Sequence, residues 1–298
     1  VRAAVVVRPG QPPSLVDRDE PSGEVVVDVL AAPITPLDRL CASGTSYFGV
    51  PATPYVPGVQ GIGTVDGRAV WFPTSAGMAP GDGSMAEKAL ARPEDLVFLP
   101  DVDPVVMAAL GLSAVAAHRA LSSLTPGESV VVLGCGAVGQ SAIQLARLAG
   151  AGRVVAAVRS AEGRERAARA GADVVVALED VAQAAQGADL LIDPLFGPPA
   201  AAAAQALRPG GRWVNLGGSA GETSPITSST LRSRSLRLTG YTNNELTSHQ
   251  RADAISAVAR FAAAGALTVD HEVVPLADVA HAWHRNAHGR VVLATRSA

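Results

Sequence analysis

The residues best placed to do chemistry lie mid-chain, where the apolar run Val130–Leu133 leads into Gly134-Cys135-Gly136-Ala137-Val138-Gly139 and then an Ala-rich segment. A Gly-x-Gly-x-x-Gly run is weak evidence alone, but between a buried strand and a helix it acquires a mechanism. Gly134 permits the tight turn, Gly136 lets the backbone approach a pyrophosphate, and Gly139 lets helix and strand pack closely. The helix start at Ala137 and Val138 offers unpaired amides and the positive end of a dipole to phosphate oxygens. The competing reading is a glycine-rich turn that binds nothing.

The choice of nucleotide is read about 20 residues further on, where a carboxylate at the end of the second strand would hold a ribose 2′-hydroxyl. Here the chain reads Ala157-Val158-Arg159-Ser160, with no carboxylate. A 2′-phosphate would be repelled by a carboxylate and held by guanidinium and hydroxyl donors. These residues predict NADPH over NADH, with Arg159 and Ser160 as phosphate ligands and Arg164 as a helper. Arg159 as a solvated strand-end charge is the alternative.

The elements that must position this loop follow from hydrophobic period. From about Pro104, Ala-rich helices alternate with Val-rich strands, as in βαβ units with a parallel sheet. Ser129–Leu133, Arg153–Val158, Asp173–Val176, Ala188–Asp193, Arg212–Leu216 and Leu236–Gly240 are the candidate strands, enough for a complete doubly wound fold. Before them, short β-runs broken by Pro and Gly (Arg2–Val7, Glu24–Ala31, Gly61–Val65, Ala69–Phe72, Ser84–Leu90) describe a small β-domain, with a loop and short helix over Pro33–Gly44. After a helix over Ser248–Ala264, β-texture returns at Glu272–Val274 and Arg290–Leu293. The expected class is α/β, with domain spans 1–103, 104–264 and 265–298, the last rejoining the first.

Composition narrows the function. A chain of 298 residues with two cysteines and a net charge of −3 is long enough for two domains at roughly 150 residues each. Cys41 and Cys135 are too few for a four-thiolate zinc site or a disulfide framework, so a reduced, cytoplasmic setting is expected. Near-neutral charge disfavours nucleic acid as partner. The longest apolar run, Val105–Ala117, is broken by Gly111 and Ser113 and falls short of a membrane span. Arg2–Val7 leads straight into a polar segment, unlike a signal peptide.

The chain resembles the medium-chain dehydrogenase/reductase superfamily, specifically its zinc-independent, quinone-oxidoreductase-like members. The marks run in family order: Ala31-Ala32-Pro33-Ile34-Thr35-Pro36-Leu37-Asp38, Ser43-Gly44, Pro57-Gly58-Val59-Gln60-Gly61, Met85-Ala86-Glu87, the glycine loop, Ala170-Gly171-Ala172-Asp173, Leu207-Arg208-Pro209-Gly210-Gly211, Leu238-Thr239-Gly240 and Gly289-Arg290-Val291-Val292-Leu293. The resemblance implies a Rossmann domain inserted in a chaperonin-10-like (GroES-like) β-domain, with the active site in the cleft between them. It adds Gly217, Tyr241 and Arg290 to the cofactor contacts, holds Asn243 and Asn244 as cleft candidates, and implies a homodimer joined at the edge strand near Leu236–Gly240. Zinc-dependent relatives have Cys where this chain has Thr35 and His where it has Val59; neither residue can supply thiolate or imidazole. The loop between Val65 and Arg68, longer in the family, is cut to Asp66-Gly67.

Without a metal, the chemistry suits a substrate that delocalises the charge it receives. An enone or quinone accepting hydride at carbon becomes an enolate or phenolate, which a hydroxyl or water can protonate. Thr35, Tyr47 and Ser113 are the candidate donors, with capping or packing as the competing role for each; Asp38 reads as a helix cap. His281, His284 and His288 share helical spacing, but a surface helix explains them better than a metal site. Cys135 reads as a small tolerated residue of the loop. The other readings are a carbonyl or aldehyde reductase and an NADPH-binding protein without turnover.

Overall fold

Runs of Val, Ala, Leu and Ile that read as strands become buried strands because helices cover both faces of a parallel sheet. The computed structural model describes residues 1–285 and 289–295. Two compact units emerge: Val1–Gly111 with Thr247–Gly265 and the chain from Val269 on, and Leu112–Leu246 with Ala266–Thr268.

The second unit holds six parallel strands: Ser129–Leu133, Arg153–Ala157, Val174–Val176, Ala188–Asp193, Leu207–Asn215 and Arg237–Gly240. Their order across the sheet is third, second, first, fourth, fifth, sixth. Strand order therefore reverses beside Ser129–Leu133, the switch point at which doubly wound sheets bind dinucleotides. Val130–Leu133 and Val154–Ala157 are wholly buried. The sixth strand is exposed along its whole length.

In the first unit, a seven-stranded sheet runs His271–Pro275, Arg290–Ala294, Val25–Pro33, Gln60–Val65, Arg68–Pro73 and Val97–Phe98, with Lys88–Ala91 also paired to Val25–Pro33. The C-terminal strands thus complete a sheet begun near the start of the chain. Arg2–Val5 and Ser14–Asp17 form a separate antiparallel pair. The shortened Asp66-Gly67 connection has φ of 50° and 74°, the mirror-image turn that a two-residue hairpin demands.

Several details add to or depart from the expected elements. Of the expected Ser84–Leu90 strand only Lys88–Leu90 lies in the sheet strand, which runs on to Ala91; Ser84 N and Met85 N instead donate to the carbonyls of Gly58 and Pro57. The short strands Ser14–Asp17 and Val97–Phe98 add to those expected. The helix Pro104–Ala120 is broken at Gly111, whose φ of 33° and ψ of −132° are not helical. The helix Ser248–Ala263 groups with the β-rich unit rather than with the parallel sheet, and Ser248 Oγ and Arg251 Nη2 bond Asp95 Oδ1 of that unit at 2.7 and 3.3 Å. Among the described residues no helix is long and apolar enough to cross a membrane.

Candidate functional site

The glycine loop forms as its residue types require. Gly134 has φ of 74°. A Cβ on Gly139 would lie 2.2 Å from the Gly134 carbonyl oxygen, whereas one on Gly136 would meet nothing within 4 Å. The chain therefore closes tightly at one end of the loop and faces open space in the middle. Gly136 is the N-cap of the helix Ala137–Leu148 and no side chain caps that helix, so its first amides remain for a ligand. These features fit a dinucleotide diphosphate.

Beyond the second strand, Arg159 and Ser160 are exposed. Ser160 caps the helix Ala161–Arg169, its Oγ accepting from Gly163 N at 3.1 Å. Arg164 Nη1 turns back to the Arg159 carbonyl at 3.4 Å, which brings the three expected phosphate ligands to one helix start. Glu162 sits among them, its carboxyl held below the usual range by its own amide and the Ser160 hydroxyl, with help from the charges of Arg166 and Arg164. Arg166, not singled out in the sequence, donates from Nε to the Cys135 carbonyl of the glycine loop at 3.3 Å.

At the far ends of the fourth and fifth strands a second cluster forms. Buried Asp193 accepts from Leu195 N (2.9 Å), Phe196 N (2.7 Å) and Trp213 Nε1 (2.8 Å). Asn215 Nδ2 donates to the Gly217 carbonyl at 2.9 Å, which places Gly217 beside this group. Tyr241 donates to Asn243 Oδ1 at 2.7 Å, and Asn243 Nδ2 donates to the Leu112 carbonyl at 3.0 Å. Tyr241, Asn243 and the residue preceding Ser113 are thus brought together. Burial pushes the Tyr241 phenol up to about 12, so its proton is retained at any working pH.

In the β-rich unit, Thr35 heads the helix Pro36–Ser43 in a complete capping box. Its Oγ1 donates to Asp38 Oδ2 at 2.6 Å and accepts from Asp38 N at 3.2 Å. Asp38 Oδ1 takes the amides of Gly58 and Val59 at 3.1 and 2.9 Å. Burial pushes the Asp38 carboxyl up, against the pull of Thr35, the Val59 amide and the charge of Arg290. Arg290, expected among the cofactor contacts, donates from Nη1 to the Ile34 carbonyl at 3.0 Å, and burial lowers its guanidinium to about 10, against the charge of Asp38. Val59 is buried, and Gln60, where zinc relatives have Glu, accepts from Trp71 Nε1 at 2.9 Å. A Cβ on Gly111 would fall 2.2 Å from Gln60 Oε1, so the break in that helix makes room for the amide.

Zinc does not fit this donor set. Thr35 already donates its hydroxyl proton to Asp38, Val59 has no donor atom, and Gln60 is held by Trp71. Among the described residues no three His, Cys, Asp or Glu side chains converge to hold a metal. His281 and His284 are exposed, and His288 lies outside the described residues. Tyr47 is 78% exposed with its ring against Phe48, whereas Tyr55 is buried and its hydroxyl makes no hydrogen bond. Cys41 and Cys135 are buried free thiols.

Comparison with known proteins follows this division. The zinc-binding dehydrogenase family profile matches residues 137–261, most of the parallel-sheet unit and part of the helix Ser248–Ala263. No curated protein matches the chain. The quinone oxidoreductase from Thermus thermophilus, whose structure was also determined in complex with NADPH, is 29% identical with a TM-score of 0.85 over 99% of this chain and 100% of that one. A mycobacterial quinone oxidoreductase is 25% identical with a TM-score of 0.86, over 98% of this chain and 99% of that one. An alcohol dehydrogenase superfamily protein from Novosphingobium aromaticivorans, 24% identical with a TM-score of 0.86 over 99% of each chain, shares the fold. The chain thus resembles the zinc-binding dehydrogenase family over residues 137–261 and quinone oxidoreductases along its whole length.

Proposed function

We propose that this protein reduces quinones or enones with NADPH and without a metal. The observation that carries the reading is the whole-length likeness to a quinone oxidoreductase characterised with NADPH. The amides of Ala137 and Val138, with the Gly134–Gly139 turn, hold the diphosphate; Arg159, Ser160 and Arg164 hold the 2′-phosphate; Gly217 and Tyr241 border the nicotinamide end. Bound NADPH supplies the hydride. A quinone accepts it at carbon and spreads the charge onto its own oxygen, so the protein has little electrophilic work to do. Protonation of that oxygen by water, Ser113 or Tyr47 gives an enol-ketone, and loss of a proton from the carbon that took the hydride, with proton gain at the second carbonyl oxygen from water, completes the hydroquinone. Thr35 is set aside as donor because its proton is already committed to Asp38.

The metal-free part rests on Thr35, Val59 and Gln60, each used in the fold of the β-rich unit. The exposed strand Arg237–Gly240 supports a homodimer joined edge to edge, checked by sedimentation of Leu238→Lys, which should release monomers. Two free thiols fit a reducing, cytoplasmic setting. The reading is tested by following NADPH oxidation against a panel of quinones, enones and aldehydes. Turnover of the first two classes is expected; turnover of aldehydes alone, or of nothing despite tight NADPH binding, would overturn it.

A further inference from the structure

We propose that Arg166 is a specificity-determining residue for the adenosine 2′-phosphate and ties that phosphate to the glycine loop. The inference rests on the NADPH reading above. Arg166 lies two residues past Arg164 in the helix Ala161–Arg169, and its Nε donates to the Cys135 carbonyl 31 residues earlier in the chain. The same carbonyl takes Gln140 Nε2 at 3.4 Å. One edge of the guanidinium is thereby pinned to the loop that would carry the diphosphate. No hydrogen bond among the described residues uses the opposite, Nη edge. A planar fork with one edge fixed and the other open matches phosphate oxygens better than a flexible ammonium would.

The surrounding charges point the same way. Glu162 precedes Arg166 by one helical turn, so the two lie on one face. Its carboxyl is drawn by its own amide, the Ser160 hydroxyl, Arg166 and Arg164. Ser160, Arg164 and Arg166 thus already act on one anion, and a 2′-phosphate offers more charge and more acceptor oxygens than that carboxylate. Since the guanidinium is rigid, an anion on its Nη edge also holds Nε against the Cys135 carbonyl. The 2′-phosphate and diphosphate positions are coupled through a single side chain.

Calorimetric titration of the whole protein with NADPH, NADH and 2′,5′-ADP tests this. A charge-assisted phosphate contact predicts that Arg166→Ala weakens NADPH and 2′,5′-ADP by about tenfold or more. NADH, which lacks the 2′-phosphate, should weaken by less than about threefold, and its retained binding reports an intact fold. Arg166→Lys should fall between, because a point charge cannot hold carbonyl and phosphate together. Equal weakening of NADPH and NADH, or no change in either, would overturn the proposal. If Arg159→Ala lowers the NADPH preference while Arg166→Ala does not, Arg166 fails and the NADPH reading stands; if the unmodified protein binds both nucleotides alike, both fail.

Discussion

Two helix N-termini of this chain present the same unpaired amides and deal with them oppositely. At Thr35, a capping box and the Asp38 carboxylate consume them, together with the amides of Gly58 and Val59. At Gly136 no side chain intervenes. The first is a closed network whose polar groups hold their own unit together; the second leaves donors facing open space. One helix start is closed by a structural cap, and the other leaves its first amides uncapped.

The contrast can be broken by substitutions that act on one terminus only. The largest effect is expected from Gly139→Ala, whose Cβ must displace a backbone carbonyl 2.2 Å away. Titration should show NADPH affinity lowered at least about a hundredfold, with stability down by more than about 3 kcal/mol; normal affinity would mean the loop is not the binding element. Asp38→Ala strips the acceptor from three buried amides and a hydroxyl, for a loss of about 3 kcal/mol in denaturant unfolding. NADPH affinity should nevertheless stay within about twofold if the two termini are independent.

Arg159→Ala should lower the NADPH-to-NADH affinity ratio by about tenfold, the value of one charge-assisted bond, with stability unchanged. An unchanged ratio would return Arg159 to a solvated strand end. Thr35→Ala should cost about 1 kcal/mol as a lost N-cap and leave kcat within about threefold. A far larger fall in kcat would make Thr35 a proton donor after all. Tyr47→Phe, at an exposed position, should alter stability by no more than about 0.5 kcal/mol; its effect on kcat divides protonation by Tyr47 from protonation by water.

The parallel sheet was legible because strands buried on both faces are written as continuous apolar runs, as in Val130–Leu133 and Leu190–Ile192. Ser14–Asp17 and Val97–Phe98 were not, since short, partly exposed strands carry no such run. The glycine loop was readable from local spacing. Arg166 was not, because its bond to Cys135 spans 31 residues and nothing in the neighbouring sequence marks it. Asp38 was legible as a cap of its short helix, but its partner Thr35 and its hold on Gly58 and Val59 needed the folded chain to bring them near. Phe196, at φ of 55° and against Trp213, shows the same limit: tertiary packing and Asp193 impose a backbone angle that propensity disfavours.

Metal-free hydride transfer to a quinone, as proposed, makes turnover independent of zinc. kcat/KM for a quinone with NADPH should be determined after exhaustive chelation and again with stoichiometric zinc. The same value is expected in both conditions, because Thr35, Val59 and Gln60 leave zinc no ligand set. Activity lost on chelation and restored by zinc would contradict it.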